Sequence, residues 1–168
     1  MKTQDALVKR LDPYWKMEAA NAVIIPAVML YLSDGSMGWI SVLALVPMTA
    51  LLIIGAVYWR AKVRQLQQKR YQIAPVLAKI GRLRLPVLIL TILGALVAFA
   101  SWSVPDLAIS AADRICASIA AALAALEYVN YYHRQLQHFD NIADFKRLLT
   151  GKGFRASQMA RDLRAYDF

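Results

Sequence analysis

The feature that most constrains this sequence is the stretch Trp39–Trp59, which contains no charged residue. A helix rises about 1.5 Å per residue, so a stretch of this length matches the roughly 30 Å hydrocarbon core of a bilayer. Hydrophobic residues make up 59% of the chain, whereas soluble domains contain about 45–50%. Because the excess is concentrated in long apolar blocks, the sequence predicts an all-α polytopic membrane protein.

Four transmembrane helices are predicted, because four apolar blocks are long enough to cross a bilayer. Together they form a predicted four-helix bundle within residues 1–138. The spans are expected at about 13–33, 39–59, 85–104 and 106–134. Asp12-Pro13 predicts the start of the first helix, since aspartate favours the N-cap and proline the first turn. The small residues that fill the last span predict close helix packing and a central place in the bundle.

The predicted connection over 60–84 carries eight Lys/Arg residues and no Asp or Glu. Five of its apolar residues fall at spacings typical of one helix face, and Pro75 is expected to break that helix. They are Val63, Leu66, Ile73, Leu77 and Ile80. We expect a basic helix lying on the lipid headgroups; the alternative is a docking face for another protein. The tail over 139–168 predicts two short amphipathic helices that pack under the bundle or lie on the membrane.

The charge distribution predicts the orientation. Four Lys/Arg residues precede the first span or lie at its start, eight lie in the connection and seven follow the last span, which leaves only Arg114 on the other side. The positive-inside rule therefore places both termini in the cytoplasm of a multi-pass inner-membrane protein. This asymmetry accounts for the net charge of +9 without a nucleic-acid partner. We expect anionic membrane lipids as partners, bound by Arg60, Lys62, Arg64, Lys69 and Arg70.

The cytoplasmic end of the last span carries the densest group of polar side chains. Glu127 lies deeper than the basic Arg134, and Asn130 and His133 lie between them. An acidic residue inside a membrane is by default a candidate functional site, because its charged form is costly there. The alternative is a structural hydrogen bond that fixes helix packing.

The spacing of Glu127 and Asn130 is repeated by Glu18 and Asn21 near the cytoplasmic end of the first span. The two helices run in opposite directions, so as neighbours they would place each carboxylate beside a carboxamide. We therefore predict one intramembrane polar site from these four residues. It could hold a cation, a proton or a polar headgroup.

The sequence predicts no metal site, cofactor or catalytic residue. His133 and His138 point about 140° apart on a helix with 3.6 residues per turn, so they cannot share a metal. Asp113 and Arg114 form a lone charged pair, expected to pair locally or to face the outer membrane boundary.

The run Glu127-Tyr-Val-Asn-Tyr-Tyr-His-Arg-Gln-Leu136, with Ala160-Arg-Asp-Leu163 downstream, resembles a pattern found in small bacterial multi-pass membrane proteins of unassigned function. The resemblance covers the C-terminal side of the chain. It implies a membrane protein and carries no activity with it.

Three functions are consistent with the sequence. The first is a non-enzymatic membrane protein that forms a homo-oligomer or serves a partner complex through its basic cytoplasmic face. The second is a transporter or channel subunit whose path uses the polar site around Glu127 and Glu18. The third is a lipid-active membrane enzyme with Glu127 or His133 as its base, for which the sequence offers no nucleophile.

We predict that a cysteine at Ser36 reacts with an impermeant reagent from outside the cell. A cysteine at Gln68 should react only after the membrane is permeabilised, because the charge asymmetry places it inside. The measurement is labelling of each single-cysteine variant after Cys116 has been replaced. Labelling at Gln68 in intact cells would contradict the predicted orientation.

Overall fold

The structure, a computed structural model, describes residues 2–68, 70–136 and 154–167. Within these ranges it is all-α, as predicted, with five α-helices, one 3-10 turn at Pro105–Leu107 and no strand. The helices are α1 (Lys2–Leu32), α2 (Trp39–Gln67), α3 (Ala74–Ala100), α4 (Ala111–Tyr132) and α5 (Gln158–Ala165).

In the described part of the chain, three helices are long and apolar enough to cross a membrane: α2, α3 and α4. The prediction of a helical membrane protein holds to that extent. The helix α1 is not among the three, because Lys16, Glu18 and Asn21 make its middle section polar.

The predicted start of the first helix at Asp12 is wrong, since α1 already begins at Lys2. Instead of capping a helix, the Asp12 carboxylate accepts hydrogen bonds from Trp15 Nε1 at 2.8 Å and Lys16 Nζ at 2.5 Å. The early turns of α1 lie beside the end of α2, where the Gln4 side chain donates to the Leu66 carbonyl. Contacts of this kind stabilise helix on both sides of Pro13, which removes one backbone hydrogen bond.

The separate surface helix expected in the connection does not form. Instead, α2 continues to Gln67 and α3 begins at Ala74, with Pro75 in the first turn, where a missing N–H is tolerated. The apolar residues of the connection face the protein's own core, and four of them are buried: Val63, Ile73, Leu77 and Ile80. This apolar stripe therefore packs against the protein's own helices and is not available to lipid headgroups or to another protein.

The tail forms α5, which packs under the bundle with Met159 and Leu163 buried, whereas Tyr166 is exposed. Of the two predicted tail helices, the one expected on the stripe from Phe139 to Leu149 lies outside the described residues, as do Lys69 and His138.

The central helix is α2 rather than α4, since α2 packs against α1, α3 and α4. The small residues of α4 do serve close packing: Ala117, Ala120 and Ala124 are fully buried. The small residue Gly94 of α3 also packs within the chain, because a Cβ there would lie 3.3 Å from Ala44 Cα of α2.

Asp113 joins the outer ends of α2 and α4. It is fully buried, and its Oδ1 accepts the Gly38 N–H at 2.9 Å and the Ser41 hydroxyl at 2.5 Å. Its Oδ2 accepts the Ile109 N–H at 3.2 Å. A Cβ at Gly38 would lie 2.2 Å from Oδ2, so only glycine lets the backbone approach this carboxylate.

Arg114 does not pair with Asp113, so the first of the two alternatives expected for this doublet is wrong. Its guanidinium lies 5.4 Å from the centre of the Trp102 ring and donates to the Pro105 carbonyl at 3.4 Å. The outer charged doublet therefore separates into a buried structural carboxylate and a guanidinium held at the outer turn by an aromatic ring.

We predict that Asp113→Ala lowers the free energy of unfolding by more than about 2 kcal/mol, because it leaves several buried donors without an acceptor. Asp106→Ala, at an exposed acid of the same outer turn, is the matched control and should change it by less than about 0.5 kcal/mol. Thermal unfolding in detergent measures both. Equal effects of the two substitutions would contradict this role for Asp113.

Candidate functional site

The candidate site is built around the phenol of Tyr131, in the last turn of α4. The residue is buried, with 3% of its surface exposed. Its hydroxyl lies directly against α2, because a Cβ added to Gly55 would be 2.1 Å from that oxygen. Within the described residues the hydroxyl makes no hydrogen bond. A buried O–H without a partner is unfavourable by about 1–3 kcal/mol, so its position needs an explanation.

Two carboxylates face this hydroxyl from different helices. Glu18 of α1 is buried, with 4% of its surface exposed, and Glu127 of α4 is half-buried. Each lies close enough to interact with the Tyr131 hydroxyl, and Glu18 also lies within electrostatic range of Glu127. The three side chains form the acidic cluster: Glu18, Glu127 and Tyr131.

The structure thus brings Glu18 and Glu127 together, but it does not pair each carboxylate with the amide of the other helix. Asn130 donates from Nδ2 to its own helix neighbour Glu127 Oε2 at 3.3 Å, and its Oδ1 accepts the Leu136 N–H at 2.9 Å. Asn21 is half-buried and makes no hydrogen bond within the described residues.

Sequence reasoning missed the role of Tyr131, which was interpreted only as one of the tyrosines that mark the membrane interface. The signal that could have found it is Gly55, a glycine inside a span of large apolar residues. Such a glycine often marks a close approach by another group.

The chain after α4 turns back beneath the bundle and fixes the end of that helix. The Ser157 hydroxyl donates to the Tyr131 carbonyl and accepts the Ala160 N–H at 3.0 Å, so it caps α5 while binding α4. A short antiparallel contact adds to this, with Gln135 N–H donating to the Arg155 carbonyl at 2.9 Å. The position of α5 is therefore tied to the turn of α4 that carries Tyr131.

A second tie joins α5 to α2 through Asp162. Its Oδ2 accepts the Tyr58 hydroxyl at 2.7 Å and pairs with Lys62 Nζ at 2.8 Å. Its Oδ1 accepts Gln158 Nε2 at 2.8 Å. The side chains of the ion pair are mostly shielded from solvent, so salt screens their attraction less than that of an exposed pair.

Between these ties lies a cavity of 390 Å³ at the start of α1 and the end of α2, the ends that the charge distribution predicts to be cytoplasmic. Its cationic lining residues are Arg10, Lys62 and Arg161, and its aromatic ones are Tyr14, Tyr58, Trp59 and Tyr131. Tyr131 therefore borders both the acidic cluster and the cavity. We refer to this volume as the cytoplasmic cavity.

The residues predicted to bind anionic lipid have different environments. Arg60 lies over the Trp15 ring at 5.3 Å, Lys62 is paired with Asp162, and Arg64 and Arg70 are exposed.

His133 and Arg134 do not join the acidic cluster. Both are exposed, and Arg134 Nη1 donates to the Phe154 carbonyl at 2.9 Å. Partial burial lowers the pKa of the His133 imidazole. Guanidiniums lower it further, since they disfavour a second positive charge; these belong to Arg84, Arg164 and Arg134.

The sequence matches no family model and no curated protein, and the fold matches no solved structure. The described residues define only the class of protein. It is an all-helical protein with three helices able to span a membrane. Its distinguishing features are an acidic cluster among α1, α2 and α4 and a basic, aromatic cavity beside that cluster.

We predict that Gly55→Ala lowers the free energy of unfolding by about 1–3 kcal/mol, because the new methyl group overpacks a filled core against the Tyr131 hydroxyl. In a Tyr131→Ala background the same substitution should have a much smaller effect, since the clashing ring is gone. Thermal unfolding of the two single variants and the double variant measures this coupling. Additive effects would show that Gly55 is not required by Tyr131.

Proposed function

We propose that the protein is a non-enzymatic four-span membrane protein that binds the headgroup of an anionic lipid in its cytoplasmic cavity. The observation that supports it is the composition of that cavity, where three cations and four aromatic rings line one volume of 390 Å³. Aromatic rings are typical of the membrane interface, and Lys and Arg side chains there attract anionic lipid.

The charge balance around the cavity favours an anion. The residues that line the cavity include three cations and no carboxylate, and Lys62 is paired with Asp162. Arg161 donates to Gln158 Oε1 at 2.5 Å, and a guanidinium has further N–H groups with which to bind a phosphate.

The surface of α1 supports its assignment as the fourth span. In the half of the helix beyond Glu18 many large apolar side chains are exposed on the isolated chain, and lipid would cover them. They include Val23, Ile24, Val28, Tyr31 and Leu32. With α1 in the bilayer, both termini lie on the basic side, which the positive-inside rule assigns to the cytoplasm.

Lipid binding is favoured over the docking of a partner protein on the connection. The apolar stripe that would have formed such a docking face is buried in the chain's own core, as Ile73 and Leu77 show. What remains exposed there is polar and basic, including Arg64 and Arg70, and suits the headgroup region.

We predict that Arg10→Gln with Arg161→Gln lowers the amount of anionic lipid bound by about tenfold or more. Each cation near an anionic surface contributes about 1 kcal/mol, and 1.4 kcal/mol corresponds to tenfold. The measurement is the affinity for nanodiscs containing fluorescent phosphatidylglycerol, with phosphatidylcholine as the neutral comparison.

The matched control is Arg64→Gln with Arg82→Gln, which removes the same charge from exposed positions outside the cavity lining. It should keep most of the preference for phosphatidylglycerol. Soluble glycerol phosphate should compete only weakly, since it lacks the lipid chains. Equal losses of affinity in both double variants would show that surface charge in general, and not the cavity, attracts the lipid. That result would contradict the proposal.

A further inference from the structure

The acidic cluster has no counter-ion among the described residues. The two salt bridges found there, Lys16–Asp12 and Lys62–Asp162, involve neither Glu18 nor Glu127. Two carboxylates within electrostatic range of each other in a largely buried site cannot both remain ionised at low energetic cost, because like charges and low polarity both disfavour the second charge.

Around the two carboxylates the described side chains supply hydrogen-bond donors. Asn130 donates from Nδ2 to Glu127, and its side-chain oxygen accepts the Leu136 N–H. The Tyr131 hydroxyl is also polar and buried, and within the described residues it makes no hydrogen bond. A hydroxyl between a neutral carboxyl group and a carboxylate can accept a hydrogen bond from the first and donate one to the second.

We propose that the acidic cluster is a proton-binding site, in which Glu18 and Glu127 share one proton and the Tyr131 hydroxyl lies between them. With the proton bound, one carboxyl is neutral and the other is the anion that the hydroxyl faces. Release of the proton leaves two carboxylates, and the proton passes to cytoplasmic water.

The groups that face the cluster from each helix support a shared proton. From α1 the only charged group is Glu18, and from α4 the facing groups are Glu127, Asn130 and Tyr131. From α2 the nearest residue is Gly55, which has no side chain.

The helix α5 adds no counter-charge to the cluster. Its guanidiniums act on other groups, Arg161 on Tyr58 and Arg164 on His133, and neither is among the groups that act on Glu18 or Glu127. The cluster therefore carries a net negative charge, which a proton reduces.

The route for the proton is set by Tyr131. This side chain contributes to the wall of the cytoplasmic cavity and faces both carboxylates. The hydroxyl can accept a proton from one side and donate its own to the other, which makes it a positioning residue and a relay between the cavity and the carboxylates. Exchange is accordingly expected with the cytoplasmic side.

Infrared spectroscopy of the full-length protein in nanodiscs, with isotope-labelled glutamate, tests this proposal. The expected result is one protonated glutamate carboxyl per chain at pH 7. The band should disappear in Glu18→Gln with Glu127→Gln and remain in Asp106→Asn, which changes an exposed acid of the outer turn. Absence of a protonated glutamate from the wild-type protein at pH 7 would overturn the proposal without any variant having to fold.

The role of Tyr131 has its own measurement. Tyr131→Phe keeps the ring and should keep the protonated carboxyl, but the band should shift and its exchange in D₂O should slow several-fold, because the relay hydroxyl is missing. A band and exchange rate identical to those of the wild type would overturn the shared-proton arrangement. A purely structural tyrosine would change the unfolding temperature and leave the exchange rate unaltered.

Discussion

The close approach of α4 to α2 is the constraint on which the rest of the structure depends. At the outer end the approach is fixed by Gly38 and Asp113, and at the inner end by Gly55 and Tyr131. In both places a glycine, Gly38 directly before α2 and Gly55 within it, leaves room for a polar group of α4. Between them the fully buried alanines of α4 keep the helices close, and in lipid such close packing replaces the hydrophobic effect as the force between helices.

The two ends differ in how completely their polar groups are satisfied. Asp113 accepts hydrogen bonds from three separate donors, so its burial stabilises one arrangement of the chain. The hydroxyl of Tyr131 has no such bond in the described part of the molecule, and it faces two acidic groups. A fully satisfied buried network gives rigidity, whereas an incompletely satisfied one is open to a ligand or a proton. This contrast distinguishes the structural end from the end where we propose the proton-binding site.

The short helix α5 connects the two proposed sites. Ser157 binds the carbonyl of Tyr131, and Asp162 binds Tyr58 and Lys62, so one short helix contacts both the end of α4 and the end of α2. The cavity lies between these contacts. Any ligand that moves α5 would therefore act on the turn that carries Tyr131. The link runs through specific hydrogen bonds, each of which can be removed by substitution.

The sequence by itself determined the helical class and three helices able to span a membrane, because these depend on local hydropathy. It also indicated the acidic residues worth attention, through their residue type. It also placed Glu18 and Glu127 as members of one site through their repeated spacing. Only the tertiary structure decided which side chain interacts with both of them. The position of Tyr131 depends on Gly55 and α2, and no spacing within α4 contains that information.

The same distinction explains the errors. Asp12-Pro13 and the stripe from Val63 to Ile80 were interpreted from local signals, and both were overridden by contacts with other helices. Helix propensity is a weak force beside tertiary packing. Local sequence thus determined which segments are helical and apolar. The packing of α2 against its neighbours determined which polar side chains lie together.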